Sequence, residues 1–332
     1  MSIGFLDVLL AVLSLIVLVV PGYLLVKGKL INQSAGEVCS SIVLYGCQPA
    51  LVFMGFQKAE YNSQIGLNMI IVALLGALMH FVMFGVMQLC TIKANKTAKL
   101  NVIKYASIFS NCGFMGLPFL QLLFSGDAEA IGNVMIYAAV IVAIFNILNW
   151  TLGVYIVSGD KKSISFRKII LNPTIIAVVL GFICFIIFKK PIVDLLPEGK
   201  FADNLIEKLM QSVNFIGDMV TPLSMTVIGI RLAYINLTRL FTEKAVYVVA
   251  FFKLIIMSLL TTLLVAFLPI DVHIKYVLFF LFSMPCATSS AMFAIKFNSD
   301  GDTATLSVLF CTVSCILTIP LMFLLFSAIV VI

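Results

Sequence analysis

Apolar and polar positions in this chain are segregated into whole segments. Runs of about 20 mainly apolar residues, the length that spans a bilayer core as a helix, recur ten times. They lie near 4–26, 37–57, 66–90, 102–124, 131–157, 172–188, 208–231, 245–268, 275–297 and 304–331. The pattern predicts an all-α integral membrane protein of about ten transmembrane helices. The most polar short connection, Ser158 to Lys168, falls between the fifth and sixth runs and marks a midpoint. The first run is read as a membrane helix and not a signal peptide. No basic stretch precedes it, its apolar stretch is too long, and no small-residue cleavage site follows.

Two runs carry an interruption near the middle. In the fourth it is Ser110-Asn111-Cys112-Gly113-Phe114-Met115-Gly116-Leu117-Pro118, and in the ninth Ser283-Met284-Pro285-Cys286-Ala287-Thr288-Ser289-Ser290. Proline lacks an N–H and clashes with the preceding turn. In hydrocarbon the carbonyls it frees must find partners, so irregular backbone survives only inside protein or beside a wet cavity. Pro118 and Pro285 are 167 residues apart (285 − 118), about half the chain. Paired interruptions in two halves point to a transporter's binding site.

Composition strengthens the membrane reading. The 332 residues are 62% hydrophobic and 11% charged, against about 45–50% and about 25% in soluble domains. The net charge of +6 comes from lysines in short loops, so it gives no reason to expect nucleic acid. Loops after the odd-numbered runs hold fourteen Lys and Arg and the others six, with Lys253 inside a run. The positive-inside rule puts the odd loops in the cytoplasm and both termini outside. With five spans per half, the second half enters from the opposite side, so any repeat is inverted. Pro49 and Pro222 sit in similar runs 173 residues apart, as do the two intramembrane basic residues, His80 and Lys253. The expected organisation is a first repeat over 1–157, a cytoplasmic linker over 158–171 and an inverted second repeat over 172–332. The eight cysteines form no CxxC pair and have no His cluster nearby, so they read as small apolar packing. No metal or cofactor is expected. Walker A, HExxH, GxSxG and Rossmann patterns are absent, so neither an enzyme nor an ATP-driven pump is expected.

Asn111-Cys112-Gly113-Phe114-Met115-Gly116-Leu117-Pro118 resembles the N-x-G-F-x-G-x-P signature of the auxin efflux carrier family. Asn172-Pro173, Pro222…Gly229, Lys253, Pro285 and Thr312…Pro320 are also similar to that family's pattern. The family lies within the bile acid/arsenite/riboflavin transporter superfamily and includes plant auxin carriers and bacterial malate- or malonate-type permeases. The resemblance implies two inverted five-helix repeats with helices four and nine broken and crossing at their prolines. It further implies a scaffold from helices 1, 2, 6 and 7, a transport domain from helices 3–5 and 8–10, and a homodimer. One departure is Ser258, where many members carry proline.

The candidate site follows from polarity inside the spans. Pro118 and Pro285 are expected at the starts of second half-helices, whose free N–H groups and dipole favour an anion. Gly113 and Gly116 accompany the first break. Asn111 can contact a substrate carboxylate and can cap freed backbone, two readings that do not exclude each other. Ser283, Thr288 and Ser289 either contact substrate or bond back to the preceding turn. A charge at the depth of Lys253 costs about 2.5–3.5 kcal/mol on insertion scales, so it complements an anion, is partly neutralised by desolvation, or snorkels. Asp218 and His80 are the candidates for proton coupling, with a static ion pair and a packing histidine as their plainer readings. The function expected is secondary transport of a small organic anion, a carboxylate or dicarboxylate, across the cell membrane by alternating access. A sodium-coupled bile-acid-type carrier and a metabolite-sensing receptor are the rivals.

Overall fold

The computed structural model describes residues 3–58, 60–195, 201–234 and 237–330. Among them no β-strand forms, and each of the ten apolar runs is helical. The main helices are α1 (Phe5–Lys27), α2 (Gln33–Phe56), α3 (Ser63–Cys90), α4 (Ala98–Ile108), α5 (Cys112–Leu123), α6 (Ala130–Ser158) and α7 (Pro173–Phe188). After these come α8 (Phe201–Asp218), α9 (Val220–Ala233), α10 (Lys244–Ala266), α11 (Val272–Ser283), α12 (Ser289–Lys296) and α13 (Gly301–Ile329). Eight of these stretches are long and apolar enough to cross a membrane, with α8 and α9 together counting as one. The fourth run is the pair α4 and α5, and the ninth is α11 and α12, each broken as its sequence predicts.

Short polar side chains set the helix starts by accepting first-turn N–H groups that have no intrahelical partner. Asn62 accepts from Ile65 N at 2.8 Å to open α3, and Asp300 accepts from Thr303 N at 2.9 Å to open α13. Asn172 accepts from Thr174 N at 3.0 Å, while Pro173 takes the first helical position of α7, where no N–H is needed.

Helices α1 and α9 pack along each other, α2 lies against α7 and α8, and α3 lies against α6. Glycine makes the first contact close enough to bring backbone to backbone. A Cβ on Gly22 would sit 2.1 Å from Thr226 O, and one on Gly229 would sit 2.1 Å from Val19 O. Many large apolar side chains stay exposed, among them Val179, Leu180, Ile183 and Ile187 on α7. A soluble monomer rarely shows such a surface; a bilayer requires it.

Two features depart from the sequence-based expectation. The seventh run divides at Met219 into α8 and α9. Four helices also contain a π-helical turn, at Val43–Cys47, Cys112–Gly116, Asn149–Gly153 and Phe251–Ile256.

Candidate functional site

The two breaks meet, backbone to backbone. Ser110 and Cys286 form an isolated antiparallel bridge; Asn111 N donates to Pro285 O at 2.7 Å and Ala287 N to Phe109 O at 2.8 Å. Each interruption frees polar groups that hydrocarbon cannot satisfy, and each satisfies the other. On the second side, Pro285 forces the break. Met284 before it lies at φ −60°, ψ 151°, the extended region that a following proline imposes, so α11 ends at Ser283.

The first side breaks differently, and this corrects the expectation of a crossing at both prolines. The crossing uses Phe109, Ser110 and Asn111, whereas Pro118 sits well inside α5, at the second residue after the π turn Cys112–Gly116. A proline cannot donate to the carbonyl four residues back and crowds the turn before it; the chain widens that turn and continues. Pro285 does not open a half-helix either, since α12 begins at Ser289. The 173-residue offset already seen for Pro49/Pro222 and His80/Lys253 relates Phe109 to Phe282 (282 − 109) and Ser110 to Ser283 in sequence, whereas the reciprocal bonds of the crossing pair Ser110 with Cys286. The 167-residue spacing of Pro118 and Pro285 does not match that offset.

Lys253 ties the crossing together. It is fully buried on the π turn of α10, and its Nζ donates to Ser110 Oγ in one break and to Phe282 O at 3.2 Å in the other. Among the described residues no carboxylate pairs with it. It does not snorkel. His80, its counterpart on α3, is also buried. Its Nδ1 must carry the hydrogen, because it bonds the Gly76 carbonyl at 2.7 Å. The His80 ring packs between Phe109 and Phe282, at centroid distances of 5.4 and 5.1 Å, and its Nε2 has no partner.

The remaining expected residues divide. Asn111 is buried with Nδ2 unpartnered, while its backbone carbonyl accepts from Met115 N and Gly116 N at 3.2 and 3.0 Å. Its side chain therefore does not cap the helix. Ser283 Oγ is buried and unpartnered. Ser289 is committed to Tyr105, whose hydroxyl lies 2.7 Å from Ser289 Oγ and also donates to Asn149 Oδ1. Thr288 is half-buried as the residue before α12. Gly113 and Gly116 act as clearances: a Cβ would lie 2.6 Å from Gln48 Nε2 at the first and 2.5 Å from Leu281 Cδ2 at the second. Asp218 departs from the expected buried position. It ends α8 on an exposed face, bonded by Asn214 Nδ2 at 2.8 Å, outside the buried polar group.

Sequence reasoning missed Ser110, Gln48, Tyr105 and Asn149 as members of this group. Applying the 173-residue offset to Ser283 would have found Ser110. The π turns are the structural signal for Gln48 and Asn149, and Tyr105 joins the group through its bond to Asn149. Gln48 directly follows one, Asn111 precedes the next, Asn149 begins the third and Lys253 lies in the fourth. Such turns recur at functional sites because one extra residue re-aims the side chains around it. Beside the crossing is an apolar cavity of 60 Å³, lined by Leu15, Met115, Met225, Ile228 and Thr312 among others. It lies where α1 and α9 face α5 and α13.

A family model described as membrane transport protein matches residues 7–166 and again 162–323. No curated protein matches the chain. Two matches, one per half, accord with a twofold-repeated helical fold. The chain belongs to the membrane transport protein family, the family of the auxin efflux carriers, and is a multi-pass membrane transporter.

Proposed function

We propose that the protein is a secondary carrier of small carboxylates, with the substrate held at the crossing of the two breaks. One observation carries this reading: a buried amide donor without a partner, Asn111 Nδ2, beside the buried amine of Lys253, with which no carboxylate among the described residues pairs. A carboxylate is acceptor-only when ionised, so it complements both. Lys253 acts through its field and through Ser110, since two of its donors already serve the breaks. Ser283 offers a further free hydroxyl, whereas Ser289 is engaged by Tyr105.

In this reading α1, α2, α7, α8 and α9 form a scaffold past which the helices holding the crossing move. The close α1–α9 and α2–α7 packing supports that division. The lysine-rich loops support an orientation in the cell membrane with both termini outside. A homodimer, implied by the resemblance, belongs to the same reading. For coupling, the position of His80 favours it over Asp218. His80 has a free ring nitrogen beside both breaks, and an imidazole titrates near neutral pH in water.

The test is ligand-dependent thermal stabilisation of the purified protein across mono- and dicarboxylates. A carboxylate should raise the melting temperature of the wild type and have no effect on Asn111→Ala, whose unliganded melting stays close to the wild type's. Undiminished stabilisation of Asn111→Ala would remove the crossing as the site. Uptake that persists without sodium and loses its pH dependence in His80→Gln separates proton from sodium coupling.

A further inference from the structure

Besides His80 Nε2, the buried polar group contains an amide oxygen that a simple carboxylate cannot satisfy. Gln48 lies on α2 immediately after the π turn Val43–Cys47, is 3% exposed, and its Oε1 has no partner. Its amide rests against Gly113: a Cβ at Gly113 would be 2.6 Å from Nε2 and 3.2 Å from Oε1. Gly113 is two residues from Asn111, whose Nδ2 is the unpartnered donor. The scaffold thus presents an unpaired acceptor, and the crossing an unpaired donor, on either side of the first turn of α5. Thr221, the residue 173 positions beyond Gln48, bonds Gln121 Oε1 at 3.1 Å. The second-repeat counterpart is therefore satisfied by protein while Gln48 is not.

The geometry points to Gln48 as a specificity-determining residue that accepts a hydrogen bond from a donor on the substrate, an O–H or N–H carried by the same molecule as the carboxylate. This rests on the carboxylate-carrier reading above. An ionised carboxylate supplies acceptors only. Bound alone, it satisfies Asn111 and leaves the Gln48 oxygen buried and unpaired, which is the costly arrangement. A hydroxy acid, or an acid bearing an N–H, satisfies both. Gly113 has a stated part in this: any side chain there displaces the Gln48 amide from the first turn of α5.

The experiment uses matched acids that differ only in the donor: lactate against propionate, malate against succinate, and indole-3-acetate against its N-methyl form. Affinities are measured by titration calorimetry on the purified full chain. In whichever series binds, the donor-bearing acid should bind about tenfold tighter to the wild type. In Gln48→Met the two members should fall within about twofold of each other, while Asn111→Ala abolishes binding of both. The wild-type comparison stands even where the Met variant folds poorly. Equal affinity within the pairs would overturn the inference and leave the carrier reading intact, as would a preference that survives Gln48→Met. Tighter binding of the member without a donor would mean that the amide presents its nitrogen, and would also overturn it. Failure of every acid to bind would remove the carrier reading and this inference with it.

Discussion

Lys253 illustrates how a single residue changes meaning once its partners are known. Depth alone marks it as a charge awaiting an anion. In the structure its Nζ is spent first on the protein, on Ser110 Oγ in one break and Phe282 O in the other. Removing it leaves both acceptors buried and unmatched, at about 1–3 kcal/mol for each such group. Lys253→Met should therefore lower the melting temperature as well as abolish uptake, whereas Asn111→Ala, whose amide makes no protein bond through Nδ2, should abolish binding with little change in stability. The coupling between Lys253 and Ser110 is testable by a double-mutant cycle. Lys253→Met should cost less in a Ser110→Ala background than in the wild type, by about 0.5–3 kcal/mol. Additive losses would show that the contact does not hold the crossing. His80 and Ser283, which lie 173 residues from Lys253 and Ser110 in sequence, each keep a buried polar atom unpaired. The two halves therefore differ at the level of hydrogen bonds.

At the scale of elements, helices come from apolar length and caps, which the sequence states openly, whereas their irregularities come from tertiary contact. All ten runs were legible, as were the two interrupted ones, because bilayer thickness fixes a length that composition reveals. The position of the first break was not. Pro118 drew attention to itself, but a π turn absorbs it, and Phe109–Asn111 leaves the helix because the second break supplies the partners for its backbone. Asp218 was misplaced for a related reason. Apolar neighbours in sequence do not fix which face a residue takes, and α8 turns Asp218 outward. Joins between elements offer a separate test at the ends of α4 and α10. Glu243 caps α10 by accepting from Ala245 N at 3.2 Å and bonds Lys99 at 2.7 Å. The Lys99 hydrogen bond holds its carboxyl below the usual carboxylate range. A lowered folded value means the contribution is complete above that range and is lost as pH falls through the folded value. Both partners are partly exposed, so the pair is worth about 0.2–1 kcal/mol. The stability gap between wild type and Glu243→Gln, followed by thermal melting, should be of that size at neutral pH and should shrink to the loss of the cap alone in acid. A gap independent of pH would assign the whole effect to capping.

For the molecule as a whole, the question is whether the helices carrying the crossing move past the scaffold. The close glycine contacts of Gly22 and Gly229 lock α1 to α9 within one side. Between the sides the packing is of another kind: a small apolar cavity where α1 and α9 face α5 and α13, with side-chain bonds from Thr221 on α9 to Gln121 on α5 and from Asn172 at the start of α7 to Asn146 on α6. An interface crossed by isolated polar contacts, with an unfilled space beside α1 and α9, is suited to sliding. A rigid bundle would be glycine-locked throughout. Placing thiols at both ends of the Thr221–Gln121 bond tests the motion directly. In Thr221→Cys/Gln121→Cys, a mercuric ion bridging the two thiols should stop uptake, and a competing free thiol should restore it. The single variants carry the same eight native cysteines and should keep their uptake under the same treatment, so the loss belongs to the bridge. Carboxylate binding to the bridged protein should persist, because the bridge joins α9 to α5 without touching Asn111. Uptake undiminished by the bridge would mean that these two helices keep their contact through the cycle, and the moving boundary would then have to lie elsewhere in the bundle.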